Sequence, residues 1–556
     1  RIPWLSREWT EKLVFTKHIS DSLGLGCDFT FGTLWPFGGT FVENSDASTV
    51  FGDSNFRQPL YLSWTHPDTG NVLNHMDPSA FERYAEVMGS ALQPALSGGR
   101  SALFCDSWEV ETRRIWTDGF GETFNERYGY RIEPYMNEIY SESYPDERYD
   151  YMKLVSEFVI NGFYKPFAEK CNEFNAKSRV QCAGSPTDLI EAYALVDIPE
   201  SEAMLYNPDF SRIVASTAAL AGKPVVSAES FTCLYGWPDA YHKEEQVADL
   251  KLVADALFAN GVNQIIWHGM PYNPVGVDTQ FFYATVHVGK IGSLEPHIKP
   301  FNEYLTYVSD WMRKGIPYSD VAVYLPLEDA WVGGEFPDSL QMPWSWGAYE
   351  LRYLDLPREL QKHHPLWINS GFLEKGRVED KKLHIGDLSF NMLYIDVGYL
   401  DVAVLETTLN LAQKGLPVCL KRRPAEPGKN KTERYVMALD SLERLPNVST
   451  VLSEIYPGKP LVEGENLPAW WCREMENSKV IFFANPLAKH LTYPLDYGQA
   501  FQNEELEHSI RIHIDNDVID TMLVFLPGKS VMWEVFPDGD VRNITHSYKP
   551  PTPVRP

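Results

Sequence analysis

The sequence predicts an α/β protein built around a (β/α)8 barrel of the TIM type. From about residue 25 to residue 315, short apolar strands alternate with helices, and this alternation is typical of parallel βα units. Several of the strands run into acidic or polar residues, as strands do at the catalytic rim of a barrel. No GxGxxG or GxxxxGKS/T loop occurs, so a doubly wound nucleotide-binding sheet and a nucleotide cofactor are both disfavoured.

The predicted elements of this first unit follow one another regularly. Residues 6–22 have the periodicity of an amphipathic helix, and a Gly-marked end leads into a strand near Phe29. A helix ahead of the first strand suggests that an earlier strand lies upstream of this chain. Later strands are predicted over 102–105, 178–182, 223–227 and 263–267, with helices over 78–95, 116–128, 151–175, 211–221, 244–260 and 302–314.

Two further units are expected after the barrel, which is assigned to residues 1–315. Residues 316–464 again alternate strands with helices, so they predict a smaller α/β domain, flavodoxin-like or Rossmann-like. No acids converge there, and this domain is expected to be structural or to flank the pocket. Residues 465–556 alternate apolar and polar positions, as in the stretch SIRIHI, and predict a C-terminal β-sandwich.

Composition excludes several classes of partner. Lys and Arg number 49 and Asp and Glu number 76, and the resulting net charge of −27 repels nucleic acid and anionic membranes but not neutral sugars. Aromatic residues make up 13% of the chain, and they can stack on sugar rings or fill large cores. No apolar run is long enough for a membrane span, and the seven Cys form no CxxC pair, so zinc and redox motifs are unsupported.

One stretch, Ser101–Glu111, combines a buried strand with three acids. Its apolar run leads directly into Asp106, Glu109 and Glu111. If the segment stays extended, Glu109 and Glu111 point to the same side, and Glu229 on a later strand could converge with them at a barrel mouth. Two carboxylates facing a sugar are the minimum for glycoside hydrolysis, because one protonates the leaving oxygen while the other activates water or attacks the anomeric carbon.

Other uses of these residues stay open from the sequence alone. Clustered carboxylates and carbonyls could hold Ca²⁺, although no EF-hand spacing occurs, and Glu229 could instead pair with an Arg. His268 ends its strand in WHG, where it could hydrogen-bond a hydroxyl group or be a satisfied rim histidine. A Ser-His-Asp hydrolase is disfavoured, because no GxSxG occurs and the loop at Ser185 lacks the second Gly.

Taken together, these motifs resemble glycoside hydrolase family 106, the α-L-rhamnosidases. The matching stretches are GTLWPFGG at 32–39, DSWEVE and RYGYRIEPYM within 106–136, DIPESE at 197–202, KPVVSAESFT at 223–232, WHGMPY at 267–272 and DVAVYLP at 320–326. Each motif alone is weak, whereas their order and spacing together are specific. The resemblance runs from about residue 6 to at least residue 330.

The resemblance implies an exo-acting barrel enzyme that removes terminal α-L-rhamnose, or a related deoxy sugar, from a polysaccharide or glycoconjugate. It implies inversion by two glutamates, and often a Ca²⁺ ion near the sugar hydroxyls. Catalytic roles are implied for Glu109, Glu111 and Glu229, without a choice of acid and base, and a metal contact for Glu200. The residues expected to contact the sugar are Trp35, Asp106, Trp108, Ser185 and His268.

Two alternatives stand beside this interpretation. A barrel glycosidase acting on a β-galactoside or a uronic acid would share the carboxylates, but a β-galactosidase-like site would normally show Asn before its Glu, and neither Glu109 nor Glu229 has one. A non-catalytic carbohydrate-binding relative would be expected to lose at least one acid, and all are present. The chain begins with Arg1 and has no signal-like apolar segment, so we expect a processed mature form or a fragment of a secreted or periplasmic protein.

Overall fold

The computed structural model describes residues 2–32, 35–53, 55–58, 60, 70–204, 207–236, 241–270, 285–290, 292–333, 358–455, 458–514 and 517–555. Six parallel strands, neighbours in the order in which they occur in the chain, form its first sheet. These strands are β1 (Phe29–Thr30), β2 (Ala102–Cys105), β3 (Lys177–Val180), β4 (Ile198–Ala203), β5 (Ser227–Ser230) and β6 (Gln264–Trp267).

An eight-stranded barrel was predicted for the first unit, and the part of the chain that the structure describes shows a curled parallel sheet. The described part of the first unit contributes six strands to the curled sheet, which corresponds to an open half-barrel. After β6, the described residues 285–290 and 292–297 form irregular segments, turns and one short 3₁₀ helix. Gly289, Gly292 and Pro296 interrupt this segment, and such residues disfavour a further buried strand. The last two residues of the WHGMPY motif, 271 and 272, lie outside the described residues, as does the segment 273–284 that follows them.

Helices connect the strands of the first sheet and cover its outer side. The longest predicted helix, 151–175, is part of one continuous helical run in which a π-helical turn at Ile160–Tyr164 separates two α-helices. The helices are α1 (Arg7–Ser22), α2 (Pro78–Leu92), α3 (Phe120–Tyr128), α4 (Pro145–Val159), α5 (Lys165–Glu173), α6 (Leu189–Leu195), α7 (Ser211–Leu220), α8 (Val247–Ala259) and α9 (Ile298–Met312).

The loops before α2 and after β2 form two short pairs of strands. They join Gly38–Gly39 to Asn71–Val72 and Thr49–Val50 to Ile115–Trp116 in antiparallel fashion. The second pair links the N-terminal loops to the segment that follows the acidic stretch after β2. The N-cap Asp77 accepts a hydrogen bond from the Ser79 backbone N–H and so starts α2 directly after these loops.

A second parallel sheet follows, with five strands in the order β8-β7-β9-β10-β11. They are β7 (Val321–Tyr324), β8 (Leu366–Ile368), β9 (Met392–Ile395), β10 (Val418–Leu420) and β11 (Val448–Ser449). This is the 2-1-3-4-5 order of flavodoxin-like sheets, which agrees with one of the two predicted folds. Its helices are α10 (Leu327–Gly333), α11 (Arg358–Gln361), α12 (Ser370–Glu374), α13 (Val402–Gln413) and α14 (Glu433–Glu443), and a small antiparallel sheet is formed by Arg377–Glu379, Lys382–Ile385 and Leu388–Phe390.

The C-terminal region is antiparallel. One sheet comprises Ile316–Pro317, Trp470–Glu474, Lys479–Phe483, Val531–Val535 and Val541–Asn543, and the other comprises Val462–Gly464, Leu506–Ile514 and Asp517–Phe525. Alternate side chains of the two sheets, such as Trp470, Ile481 and Ile512, share one buried cluster. The strand Ile316–Pro317 therefore belongs to the same sheet as the C-terminal strands, although it lies at the start of the predicted second unit.

Helix α4 carries several of the contacts between the first two units. The buried Arg148 guanidinium donates to the Val332 carbonyl oxygen through Nε at 3.1 Å, and Asp401 accepts from Tyr149 Oη at 2.9 Å and from Lys153 Nζ at 2.5 Å. The carboxyl edge of the second sheet is thus held against the first unit.

Among the described helices, none is long and apolar enough to cross a bilayer.

Candidate active site

The carboxyl ends of β2, β5 and β6 bring three polar side chains to one edge of the first sheet. Asp106 follows β2 directly, Glu229 is the third residue of β5, and His268 follows β6. Strands β5 and β6 are neighbours, and Glu229 is in register with Ile266. Because parallel strands end at a common edge, which is where α/β barrels carry their active sites, these three residues define a candidate site.

Three side chains that follow β3, β5 and β6 hold the Glu229 carboxylate. Its Oε1 lies 3.2 Å from Nδ1 of His268 and accepts a hydrogen bond from Oγ1 of Thr232 at 2.6 Å. Its Oε2 accepts from Nε2 of Gln181 at 2.9 Å. The Glu229 side chain retains 13% exposure, so it faces the opening of the site rather than the core.

These contacts keep Glu229 ionised. Burial alone would raise the pKa of its carboxyl, but the His268 charge and hydrogen bonds from His268, Thr232 and Gln181 outweigh burial and lower the pKa to about 2. The pKa of His268 moves the other way: burial lowers it, and the Glu229 carboxylate raises it further than burial lowers it. The two shifts together favour a pair made of a carboxylate and an imidazolium.

Glu109 lies on the loop that follows Asp106, and Gln58 holds that loop. Nε2 of Gln58 donates to the Glu109 carbonyl oxygen at 2.6 Å, and its Oε1 accepts from the Glu111 backbone N–H at 2.7 Å. Burial raises the pKa of the Glu109 side chain to about 7, the nearby Glu229 charge adds to the rise, and a hydrogen bond from Trp35 opposes it. Glu109 is therefore protonated in weakly acidic solution, in contrast to Glu229.

The charges of both glutamates act on the carboxyl of Asp106. Burial raises its pKa well above the usual range, and the charges of Glu229, Glu109 and Glu200 raise it further. The Ser107 backbone N–H donates to its Oδ1 at 2.8 Å, which only partly opposes this rise. This rise in pKa favours the protonated form of Asp106, in which the carboxyl can act as a hydrogen-bond donor.

Glu111 and Trp108 have partners of their own. Oε1 of Glu111 accepts from the Arg113 backbone N–H at 2.8 Å and lies 3.4 Å from Arg113 Nε. The loop from Asp106 is not a strand, so the expectation that Glu109 and Glu111 share one side of an extended segment is wrong. Trp108 is buried, its indole N–H donates to the Val110 carbonyl oxygen at 2.9 Å, and its ring lines the cavity beside Asp106.

Glu200, predicted as a metal contact, is fully buried within β4 and surrounded by donors. Its Oε2 lies 3.0 Å from Arg179 Nε and accepts from Ser227 Oγ at 2.6 Å, while Oε1 accepts from Gln181 Nε2 at 3.2 Å. A guanidinium already neutralises this carboxylate. Within the described ranges, no group of three or more His, Cys, Asp or Glu is arranged to hold a metal ion. These residues do not fit the Ca²⁺ ion that the resemblance implies.

A small cavity opens beside Asp106. Trp35 and Trp108 line it, together with the aromatic residues Phe37 and Phe163 and with His75. Ser185 does not line this cavity. It is buried, its Oγ donates to Thr187 Oγ1 at 3.0 Å, and it hydrogen-bonds the hydroxyl of Tyr164, which does line the cavity.

Sequence reasoning missed several residues that shape the site. Gln181 comes directly after β3 and bridges Glu229 to Glu200, so its position at a strand end was the signal that could have revealed it. Thr232 follows β5 in the same way. No local pattern marks His75 or Gln58, because loops before α2 bring them to the site through contacts that are distant in sequence.

Comparison with known proteins agrees with this geometry. A family model described as alpha-L-rhamnosidase, that of glycoside hydrolase family 106, matches residues 68–440, which is more than half of the chain. This chain belongs to glycoside hydrolase family 106. The family assignment confirms the resemblance seen in the sequence motifs, and the matched range includes β2 to β10 and every candidate carboxylate discussed above.

Solved structures of other proteins share the fold of this chain. A rhamnosidase from Novosphingobium sp. PP1Y has a TM-score of 0.64 at 17% identity, over 88% of this chain and 50% of its own. Gan42B, a GH42 beta-galactosidase from G. stearothermophilus, has a TM-score of 0.54 at 9% identity, over 96% of this chain and 91% of its own. A glycosidase-like fold is therefore shared.

Among curated proteins, the chain is similar to a putative beta-glucuronidase of Formosa agariphila. The two are 27% identical over 273 residues, which is 46% of this chain and 23% of the relative. The family 106 chain thus spans half the length of the Novosphingobium rhamnosidase and about a quarter of the Formosa protein.

Proposed function

We propose that this chain is an exo-acting glycoside hydrolase that removes terminal α-L-rhamnose, or a related 6-deoxy sugar, with two carboxylates. Membership of family 106 supports the class of reaction. The observation that carries the proposal is the opposite state of Glu109 and Glu229, one with a raised pKa and one with a lowered pKa, at the same edge of the sheet. Such a pair is what a glycosidase needs for an acid and a base at one pH.

The environments of the two glutamates support a different role for each. Glu109, protonated up to about pH 7, is the general acid that gives its proton to the leaving oxygen. Glu229, kept ionised by His268, Thr232 and Gln181, is the base that takes a proton from the attacking water. The raised pKa of Asp106 favours its neutral form, which can donate a hydrogen bond to the sugar without competing as a second base.

The test is hydrolysis of a panel of aryl glycosides by the wild type and by Glu109→Gln and Glu229→Gln. An aryl α-L-rhamnoside is expected to be the best substrate, and each variant should lose roughly 100-fold or more in turnover. Glu111→Gln is the matched control, because its partner is Arg113, and it should retain most of the activity. Near-wild-type turnover in Glu229→Gln would overturn the assignment.

The panel also separates the proposed substrate from its alternatives. It should include an aryl β-galactoside and an aryl β-glucuronide, which correspond to the structural and curated relatives. A glucuronide carboxylate requires a cation, and the described side chains that line the cavity beside Asp106 include no Lys or Arg. Following the anomeric proton of the first product by NMR decides between inversion, which we propose, and retention.

A further inference from the structure

The cavity beside Asp106 is too small for a sugar ring. About 10 Å³ inside it is open to the centre of a water-sized group, which is the space that one water or one hydroxyl group requires. Its walls are largely apolar, with Phe37, Val110 and Phe163 among them. Polar groups inside such a cavity therefore decide which single group can enter it.

His75 is the polar group that the rest of the site leaves unused. Its Nδ1 donates to the Leu73 carbonyl oxygen at 2.7 Å, and its ring packs against Trp108 at a centroid distance of 4.8 Å and Phe163 at 4.2 Å. The side chain is buried, yet no described residue hydrogen-bonds its Nε2. Burial lowers the pKa of His75 to about 3, so at neutral pH its Nε2 carries no proton and can accept a hydrogen bond.

The backbone around the cavity is built to hold this imidazole in place. A π-helical turn between α4 and α5 contributes Phe163 and Tyr164 to the walls, and such turns often occur at functional sites. A Cβ on Gly162 would lie 2.7 Å from the His75 carbonyl oxygen, so only glycine permits the turn to pack this closely. The ring position therefore does not depend on a mobile side chain.

We propose that this cavity receives one hydroxyl group of the terminal sugar, with His75 Nε2 as the acceptor. The inference rests on the proposed function, because it places a sugar in the site. Asp106 lines the same cavity and can donate to that hydroxyl oxygen while the hydroxyl donates to His75. A methyl group of the same size could not donate to Nε2 of His75 or accept from Asp106, so the pocket selects a hydroxyl over a deoxy position.

The experiment is calorimetric titration of the wild type and of His75→Phe with L-rhamnose and its 2-, 3- and 4-monodeoxy analogues. Phenylalanine keeps the aromatic packing and removes Nε2. We expect His75→Phe to bind L-rhamnose roughly tenfold more weakly or worse. One analogue should bind the wild type equally weakly and should show no further loss in the variant, which identifies the hydroxyl.

A second variant separates recognition from packing. Phe163→Leu loosens the same ring without touching Nε2, so it should weaken every analogue to a similar extent, and the thermal midpoint of each variant reports its folding. Unchanged L-rhamnose affinity in His75→Phe, or an equal loss for all four sugars, would overturn the proposal, as would the absence of sugar binding by the wild type. Selective binding without hydrolysis would overturn the proposed catalysis and leave the hydroxyl pocket standing.

Discussion

Oε1 of Glu229 lies 3.2 Å from Nδ1 of His268, and the two residues stand at the ends of adjacent parallel strands. The strand pairing itself sets this distance. A charged imidazole beside the base has a clear kinetic consequence, because it determines how far the pH can fall before the base takes up a proton.

The His268→Gln variant should move the acid limb of the kcat/KM profile upward by at least about one pH unit. Glu229 works only when ionised, and without the imidazolium the burial that raises its pKa is less strongly opposed. Profiles of kcat/KM against pH measure this. His513→Gln, which removes a His–Glu contact of 2.9 Å in the C-terminal sheet, is the control and should leave the profile in place. An unshifted acid limb in His268→Gln would contradict the role given to the pair.

The Trp35→Phe variant should move the alkaline limb upward by about one pH unit. Glu109 works as an acid only when protonated, so activity falls as the pH rises through its pKa of about 7. The Trp35 hydrogen bond lowers that pKa, and its removal lets burial raise the pKa further. The measurement is the pH dependence of kcat, and a shift toward lower pH would show that Glu109 is not the titrating acid.

The ion pair between Arg179 and Glu200 should contribute strongly to stability. Their side chains are 11% and 0% exposed, so Arg179→Met leaves a buried carboxylate without its charge partner and should cost about 3–5 kcal/mol in the free energy of unfolding. Urea denaturation measures the loss, and adding Glu200→Gln should restore part of it. The exposed pair of Arg511 and Asp520 supplies the control, since Arg511→Met should change stability by no more than about 0.5 kcal/mol.

Chelation should leave turnover and the thermal midpoint unchanged. The carboxylate assigned to Ca²⁺ by the resemblance, Glu200, already accepts hydrogen bonds from Ser227 and Gln181 and faces Arg179. Treatment with EDTA, followed by addition of CaCl₂, tests this directly. Activity that falls with EDTA and returns with Ca²⁺ would require a metal site built from other residues.

Much of the fold could be predicted, because its strands are short apolar runs between helices. Ala102–Cys105 has the predicted bounds, and the flavodoxin-like order of the second sheet fits one predicted alternative. Alternation predicts that strands are parallel but does not count how many close a sheet, and the described residues show six of the eight strands that a barrel requires.

The site was predictable in its acids and not in their roles. Glu109 and Glu229 stood out as carboxylates at strand ends, but their different pKa values depend on Trp35, His268 and Gln181, which are distant in sequence. The prediction that Glu109 and Glu111 point to the same side assumed an extended segment. In the structure this segment is a loop, and the Glu111 carboxylate contacts Arg113 instead. Such partners are set by tertiary contacts that no local pattern records.

The contacts of α4 with the second unit have a consequence for anyone who wishes to isolate the half of this protein that carries the candidate site. A chain cut at residue 315 would strip from Arg148 the Val332 carbonyl that it now reaches, and would leave Tyr149 and Lys153 facing water in place of Asp401. The flavodoxin-like domain therefore supports α4, the helix that leads into the π-helical turn lining the cavity of the candidate site. The minimal working fragment must include it.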